Sequence, residues 1–97
     1  MANVVFGAAA RAEVLDVLDW YAARSPELAA DFATEIEFAV GRILDNPLQF
    51  PVVFRQAQRA RLRRFPYSLF FTVDDDDIYV LACFHAKRNP RRWKSRL

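Results

Sequence analysis

Histidine, cysteine and methionine each occur once in this 97-residue sequence, and glycine only twice. Each shortage removes a class of chemistry. A zinc site built from Cys and His needs three or four such ligands, so no metal is expected. Two glycines cannot form the Gly-rich turn that cradles a phosphate chain, which excludes the common nucleotide-binding loops and leaves no cofactor expected. Cys83 has no second cysteine to pair with, and no charged, apolar, small-residue signal opens the chain, so a cytoplasmic setting is expected. No apolar run approaches the ~20 residues that span a bilayer. The richest, Ile78 to Phe84, stops at His85, so no membrane partner is expected.

Ser-His-Asp catalysis has no support either, because His85 is the sole histidine and no serine sits in a nucleophile turn. Cys83 and His85 are two residues apart, which on a strand puts them on the same face. That leaves a thiolate-imidazole pair to weigh against the ordinary reading, a buried apolar cysteine.

Apolar residues are abundant, at 54%, beside 14% aromatic and 27% charged residues. This composition offsets the ordering entropy of a chain and argues against disorder. The length allows one domain, residues 1–97, which buries only roughly two-thirds of its unfolded surface. Nine Phe, three Tyr and two Trp leave apolar area for a partner to cover. The net charge of +2 conceals a split. Residues 1–54 hold three arginines against eight acids, a net −5, whereas residues 55–97 hold eleven Lys or Arg against four aspartates, a net +7. Such asymmetry marks a basic face able to meet nucleic acid or an acidic polypeptide.

Asn3 to Phe6 reads as a short strand ended by Gly7, a candidate helix N-cap. Val14, Leu18, Tyr21 and Ala22 recur at helical spacing from Ala8 to about Arg24, with Glu13, Asp16 and Asp19 assigned to a solvated face. Ser25-Pro26 is an N-cap followed by a proline at the first helical position, opening a second helix. Its stripe of Leu28, Phe32, Ile36, Ala39, Val40 and Ile43 runs until Asn46-Pro47 forbids further helix. The short connection makes an antiparallel helical hairpin.

After Pro47 the period changes. Pro51 to Phe54 has extended character, and Arg59, Arg61 and Arg63 alternate with Ala60 and Leu62 as in a strand with a basic outer face. Tyr67 to Val73 and Ile78 to His85 flank Asp74 to Asp77, which predicts a β-hairpin whose four aspartates form a turn rather than a calcium loop. A basic tail, Lys87 to Arg96, follows. The fold class is therefore α+β: an N-terminal strand at the sheet edge, and an antiparallel helical hairpin packed on one face of an antiparallel β-sheet. The concentrated functional signal is Arg61, Arg63, Arg64, Tyr67, His85, Lys87, Arg88, Arg91, Arg92, Trp93, Lys94 and Arg96. Trp93 reads as a packing anchor, and the rest of the tail is expected to face a target or partner, so that cutting after Asn89 leaves the domain folded.

The segments "VVFGAAARAEVLDVLDWYAARSPELAADFATEIEFAVGRILDNPLQFP", "RLRRFPYSLFFTVDDDDIYVLACFH" and "HAKRNPRRW" together resemble the ParE/RelE superfamily of type II toxin-antitoxin toxins, over nearly the whole chain. The resemblance implies a toxin neutralised by a cognate, ParD-like antitoxin in a hetero-oligomer, with operator DNA reached only through the antitoxin. RelE-like members cut messenger RNA in the ribosome, whereas ParE-like members block DNA gyrase. The nucleases tend to carry an Arg after the Gly-Tyr that opens the strand beginning here at Tyr67, and a late catalytic Tyr. This chain has Pro66-Tyr67-Ser68, and Trp93 where the late Tyr would fall. Serine offers no cationic fork, and indole has no ionisable hydroxyl. The ParE-like branch is therefore the expectation, with DNA gyrase as target and no enzymatic activity. The alternatives are a metal-independent mRNA endoribonuclease using Arg61, His85 and Arg88, or an inactive homologue that only binds antitoxin.

Overall fold

The computed structural model describes residues 3–97. The chain runs β1 (Val4–Phe6), α1 (Ala8–Ala22), α2 (Pro26–Asp45), a single 3-10 turn (Pro47–Gln49), β2 (Val52–Phe54), β3 (Ala57–Arg61), β4 (Tyr67–Asp74), β5 (Asp77–His85) and α3 (Arg91–Lys94). The five strands form one sheet in the order β1-β5-β4-β3-β2, antiparallel except for the parallel β1-β5 pair.

The helical hairpin forms where its caps allow. Gly7 is the N-cap of α1, and the Ser25 hydroxyl accepts a hydrogen bond from Leu28 N at 3.3 Å to cap α2, with Pro26 following it. Three differences from the sequence reading have local causes. The basic strand begins at Ala57 and ends at Arg61, so Arg63 lies beyond it. Pro51 to Phe54 supplies a fourth strand after the helices, pairing with β3 across a two-residue turn in which Arg55 has φ 51°. The basic tail folds back as α3, because Trp93 has an apolar surface to bury.

Both faces of the sheet are covered. On one, Phe32, Ile36 and Ile43 of α2 and Val17 of α1 pack on Leu69, Phe71, Ile78, Val80 and Cys83. Tyr21, Phe32 and Phe65 meet there in edge-on and tilted contacts 5.2–5.8 Å between ring centres. On the other face, Trp93 stacks on Phe70 at 4.2 Å and meets Phe54 edge-on at 6.1 Å, alongside Leu81, Ala82 and Phe84.

A bulge makes this division. Phe70 pairs with Ala82 but Phe71 pairs with Val80, so Leu81 is an extra residue in β5. Ile78, Val80 and Cys83 therefore face the hairpin, while Leu81, Ala82 and Phe84 face α3. The outer edge of β5 loses its strand partner where β1 ends, Gly7 N donating the last bond to Val80 O. Beyond it, Glu13 Oε1 accepts from Cys83 N at 3.1 Å, and Arg96 Nη1 donates to Leu81 O at 2.8 Å. The two side chains form a bidentate ion pair, Nη1 to Oε1 at 3.0 Å and Nη2 to Oε2 at 2.8 Å. Glu13 thus leaves the solvated face assigned to it, and Arg96 is not free to meet a partner; their side chains are 19% and 25% exposed. Burial, with the Glu13 charge beside it, pushes the Cys83 thiol up to about 12, which rules out the thiolate-imidazole pair near neutrality.

These contacts generate several expected outcomes. Glu13→Ala leaves Cys83 N without its acceptor and the Arg96 guanidinium with Leu81 O but no carboxylate, and should cost about 2–4 kcal/mol in denaturant melts. Trp93→Ala should cost about 3–5 kcal/mol. Cutting after Asn89 removes both anchors, so the truncated chain should lose its cooperative transition, contrary to the sequence reading. The Cys83 thiol should react with a disulfide reagent only as fast as the protein opens. Its raised pKa also means that stability is full below about pH 9 and lost as pH rises from there toward 12, and that this part of the loss vanishes in Cys83→Ala under urea titration.

Candidate functional site

Cross-strand pairing on the face away from the hairpin collects the site. Arg59 lies opposite Phe70, Arg61 opposite Ser68, and Ser68 opposite Phe84. With α3 docked through Trp93, this face becomes the floor of an open hollow of about 510 Å³. Val53 of β2 bounds one side, Arg88, Pro90 and Lys94 another, and Tyr67 and His85 the end where β4 starts and β5 stops. The aromatic rings of the floor are covered: Trp93 is 2% and Phe84 4% exposed. Arg88 sits 5.4 Å from the Phe84 ring, and Lys94 lies 4.9 Å from the neighbouring Phe54 ring, outside the floor.

The hollow is strongly positive and its cations are unneutralised. Among the described residues only two ion pairs occur, Arg64–Asp31 and Arg96–Glu13, and neither involves Arg59, Arg61, Arg88 or Lys94. Arg59 Nε is buried without any hydrogen-bond partner, a costly state for a polar atom. The chemistry on offer is binding of anionic groups by guanidinium forks, with Arg61 and Arg88 exposed and Arg59 partly buried.

Proton-transfer candidates are held in place. His85 Nδ1 accepts from Lys87 N at 3.0 Å, and the ring stands edge-on to Tyr67 at 5.1 Å. The Tyr67 hydroxyl is raised above its ordinary value, first by burial, then by Tyr21 and Cys83, against a lowering by Arg88. Tyr67 therefore stays protonated at neutral pH, a hydrogen-bond donor rather than a base. No group of three or more His, Cys, Asp or Glu side chains able to hold a metal occurs among the described residues.

Of the residues singled out from sequence, the fold brings Arg61, Tyr67, His85, Arg88, Trp93 and Lys94 to this hollow. Arg63 instead lies by Glu35, Phe38 and Arg42 on the hairpin side, because β3 has ended before it. Arg64 pairs with Asp31 at 3.2 Å in an exposed contact that contributes little. Arg91 and Arg92 are exposed on α3 outside the hollow, and Arg96 is committed to Glu13. Arg59 was missed, although its two-residue spacing from Arg61 on one strand was the signal that placed both on one face. Ser68, 8% exposed, lies at the centre of the floor.

Comparison with known proteins agrees with this architecture. No individually curated protein matches the sequence. Among solved structures, the fold is similar to a chain of the chromosomal ParDE TA system from P. aeruginosa, with TM-score 0.74 and 22% identity, covering 88% of this chain and 95% of that one. It is also similar to a chain of the toxin-antitoxin complex RelBE2 from Mycobacterium tuberculosis, with TM-score 0.59 and 25% identity, covering 86% and 95%. Residues 4–90 match the family described as the ParE toxin of type II toxin-antitoxin system, parDE. That match takes in β1, the helical hairpin and all the strands of the basic hollow, and the chain belongs to the ParE family of type II toxin-antitoxin toxins.

Proposed function

We propose that this toxin arrests growth by inhibiting DNA gyrase, acts in the cytoplasm, and is neutralised by a cognate ParD-like antitoxin whose acidic segment neutralises the basic hollow. The observation that carries the gyrase reading is the pairing of the family match with the state of Ser68 and Trp93. Ser68 occupies the floor where a nuclease of this superfamily would place a cationic fork, and Trp93 is a buried packing anchor with no ionisable hydroxyl. A protein that works by binding needs neither. The antitoxin reading is supported by the unpaired guanidinium groups of Arg59, Arg61 and Arg88, which suit carboxylates, and by the exposed apolar edge residues Val52 and Val53 beside them.

One observation favours a second reading, ribosome-dependent mRNA cleavage: Arg61, His85 and Arg88 do line the same hollow. Chemistry of that kind is metal-independent and asks one group to stabilise phosphate charge and another to move a proton.

Purified toxin assayed in parallel for gyrase-dependent supercoiling and for mRNA cleavage in a translating ribosome separates the two. Loss of supercoiling with intact mRNA is the expected result; His85→Ala should change gyrase inhibition by no more than about threefold, whereas a nuclease would lose about 100-fold. Ribosome-dependent cleavage that disappears in His85→Ala would reverse the assignment. Expression of the chain alone should stop growth and co-expression of its antitoxin should restore it. Arg61→Glu and Arg88→Glu should each weaken antitoxin binding about tenfold or more, with a reduced dependence on salt, read by titration calorimetry.

A further inference from the structure

The outer face of α2 carries an arrangement that neither the fold nor the basic hollow uses. Phe38 is 66% exposed, although large aromatic side chains are usually at least half covered. One helical turn on, Gly41 stands in the interior of a 20-residue helix, where glycine is destabilising relative to alanine. Nothing within this chain explains it. Its φ is not positive, and a Cβ built there meets no atom within 4 Å. A glycine that gives the monomer no turn and relieves no clash makes physical sense where another surface approaches the helix closely.

Thr34, Glu37, Phe38, Gly41, Arg42 and Asp45 line a shallow hollow on this face. The six are self-complementary. In an antiparallel pair of α2 helices related by a two-fold axis at the level between residues 39 and 40, residue i faces residue 79 − i. Phe38 then meets Gly41 of the second copy, Glu37 meets Arg42, and Thr34 meets Asp45. All six are matched within the set, and every contact forms twice, as an isologous interface requires. Neither Glu37 nor Arg42 takes part in an ion pair among the described residues; the Arg42 guanidinium lies 5.2 Å from the Phe50 ring and has to swing off it to meet Glu37 of the second copy. The knob of Phe38 fills the gap left by Gly41, allowing the helix axes to approach at the short end of the usual packing distance.

We infer that this face binds a second copy of the same chain through antiparallel α2–α2 packing. An acidic antitoxin segment fits less well, because the hollow already carries Glu37 and Asp45 against Arg42, and the adjoining Arg63 lies beside Glu35. A single helix pair is a small interface, so the self-association is weak, with Kd on the order of 10–100 μM. The hairpin and the basic hollow are on opposite faces of the sheet, so the pairing leaves that hollow open.

Sedimentation equilibrium of the purified full-length chain, from about 5 to about 500 μM, reads the association directly. A monomer-dimer equilibrium is expected. Glu37→Arg and Arg42→Glu should each weaken it about tenfold or more, and the double variant should restore it, because each reversed charge again meets its opposite. Gly41→Leu should abolish the dimer while leaving the melting temperature of the monomer unchanged or higher, since its side chain enters open space. A strictly monomeric chain at the highest concentration would overturn the proposal, as would a dimer indifferent to Gly41→Leu or a double variant no better than the singles. A monomeric chain whose antitoxin affinity falls on Gly41→Leu would also overturn it and assign the face to an antitoxin helix.

Discussion

The extra residue in β5 is the constraint on which the other features depend. Strand β4 is a nearly continuous apolar run, and β5 becomes one from Val80 to Phe84, so hydrophobic alternation alone does not say which face each side chain takes. Leu81 settles the matter by shifting the phase, so that one end of β5 serves the helical hairpin and the other serves both faces. A bulge leaves backbone groups without ladder partners, and a short β1 leaves more. Glu13 from the first helix and Arg96 from the end of the chain satisfy both, joining residues 83 positions apart in sequence. Since the ion pair is shielded and bidentate, it resists solvent screening better than the exposed Arg64–Asp31 pair.

With the tail locked in this way, Trp93 becomes the second core and α3 becomes a wall. The basic hollow is therefore a product of packing rather than a loose cationic tail. Its cations come from β3, from the end of β5 and from α3, three places that only the sheet and the Trp93 contact bring together. Unpaired guanidinium groups favour recognition of charge, and the Phe84 and Trp93 rings beneath them are too covered to stack on a base. Charge recognition of this kind suits the proposed binding role.

Charge is segregated across the sheet. The acidic residues concentrate on the hairpin, and most unpaired cations lie on the opposite face, so each side selects a different kind of partner. The hairpin face carries its own complementarity in Phe38, Gly41, Glu37 and Arg42, whereas the sheet face presents one sign only. The two proposed surfaces lie on opposite faces of the sheet, so occupation of one leaves the other open.

By itself the sequence determined the elements whose signals are local. The Ser25-Pro26 cap, the Asn46-Pro47 stop and the aspartate turn each lie within a few residues and appear where expected, as does the apolar stripe of α2 from Phe32 to Ile43, whereas Leu28 at its start is exposed. The α+β order and the family resemblance follow from the same local patterns taken together. Tertiary structure alone decided what depends on contacts across the fold. The length of β3 removed Arg63 from the site, and the Leu81 bulge separated neighbouring side chains onto two faces. The buried acceptors at Leu81 and Glu13 turned Arg96 from a candidate binder into a structural clamp. An arginine's role is set by what lies within 3 Å of its guanidinium, and for Arg96 that neighbourhood, Glu13 and Leu81 O, is assembled from residues the sequence keeps far apart.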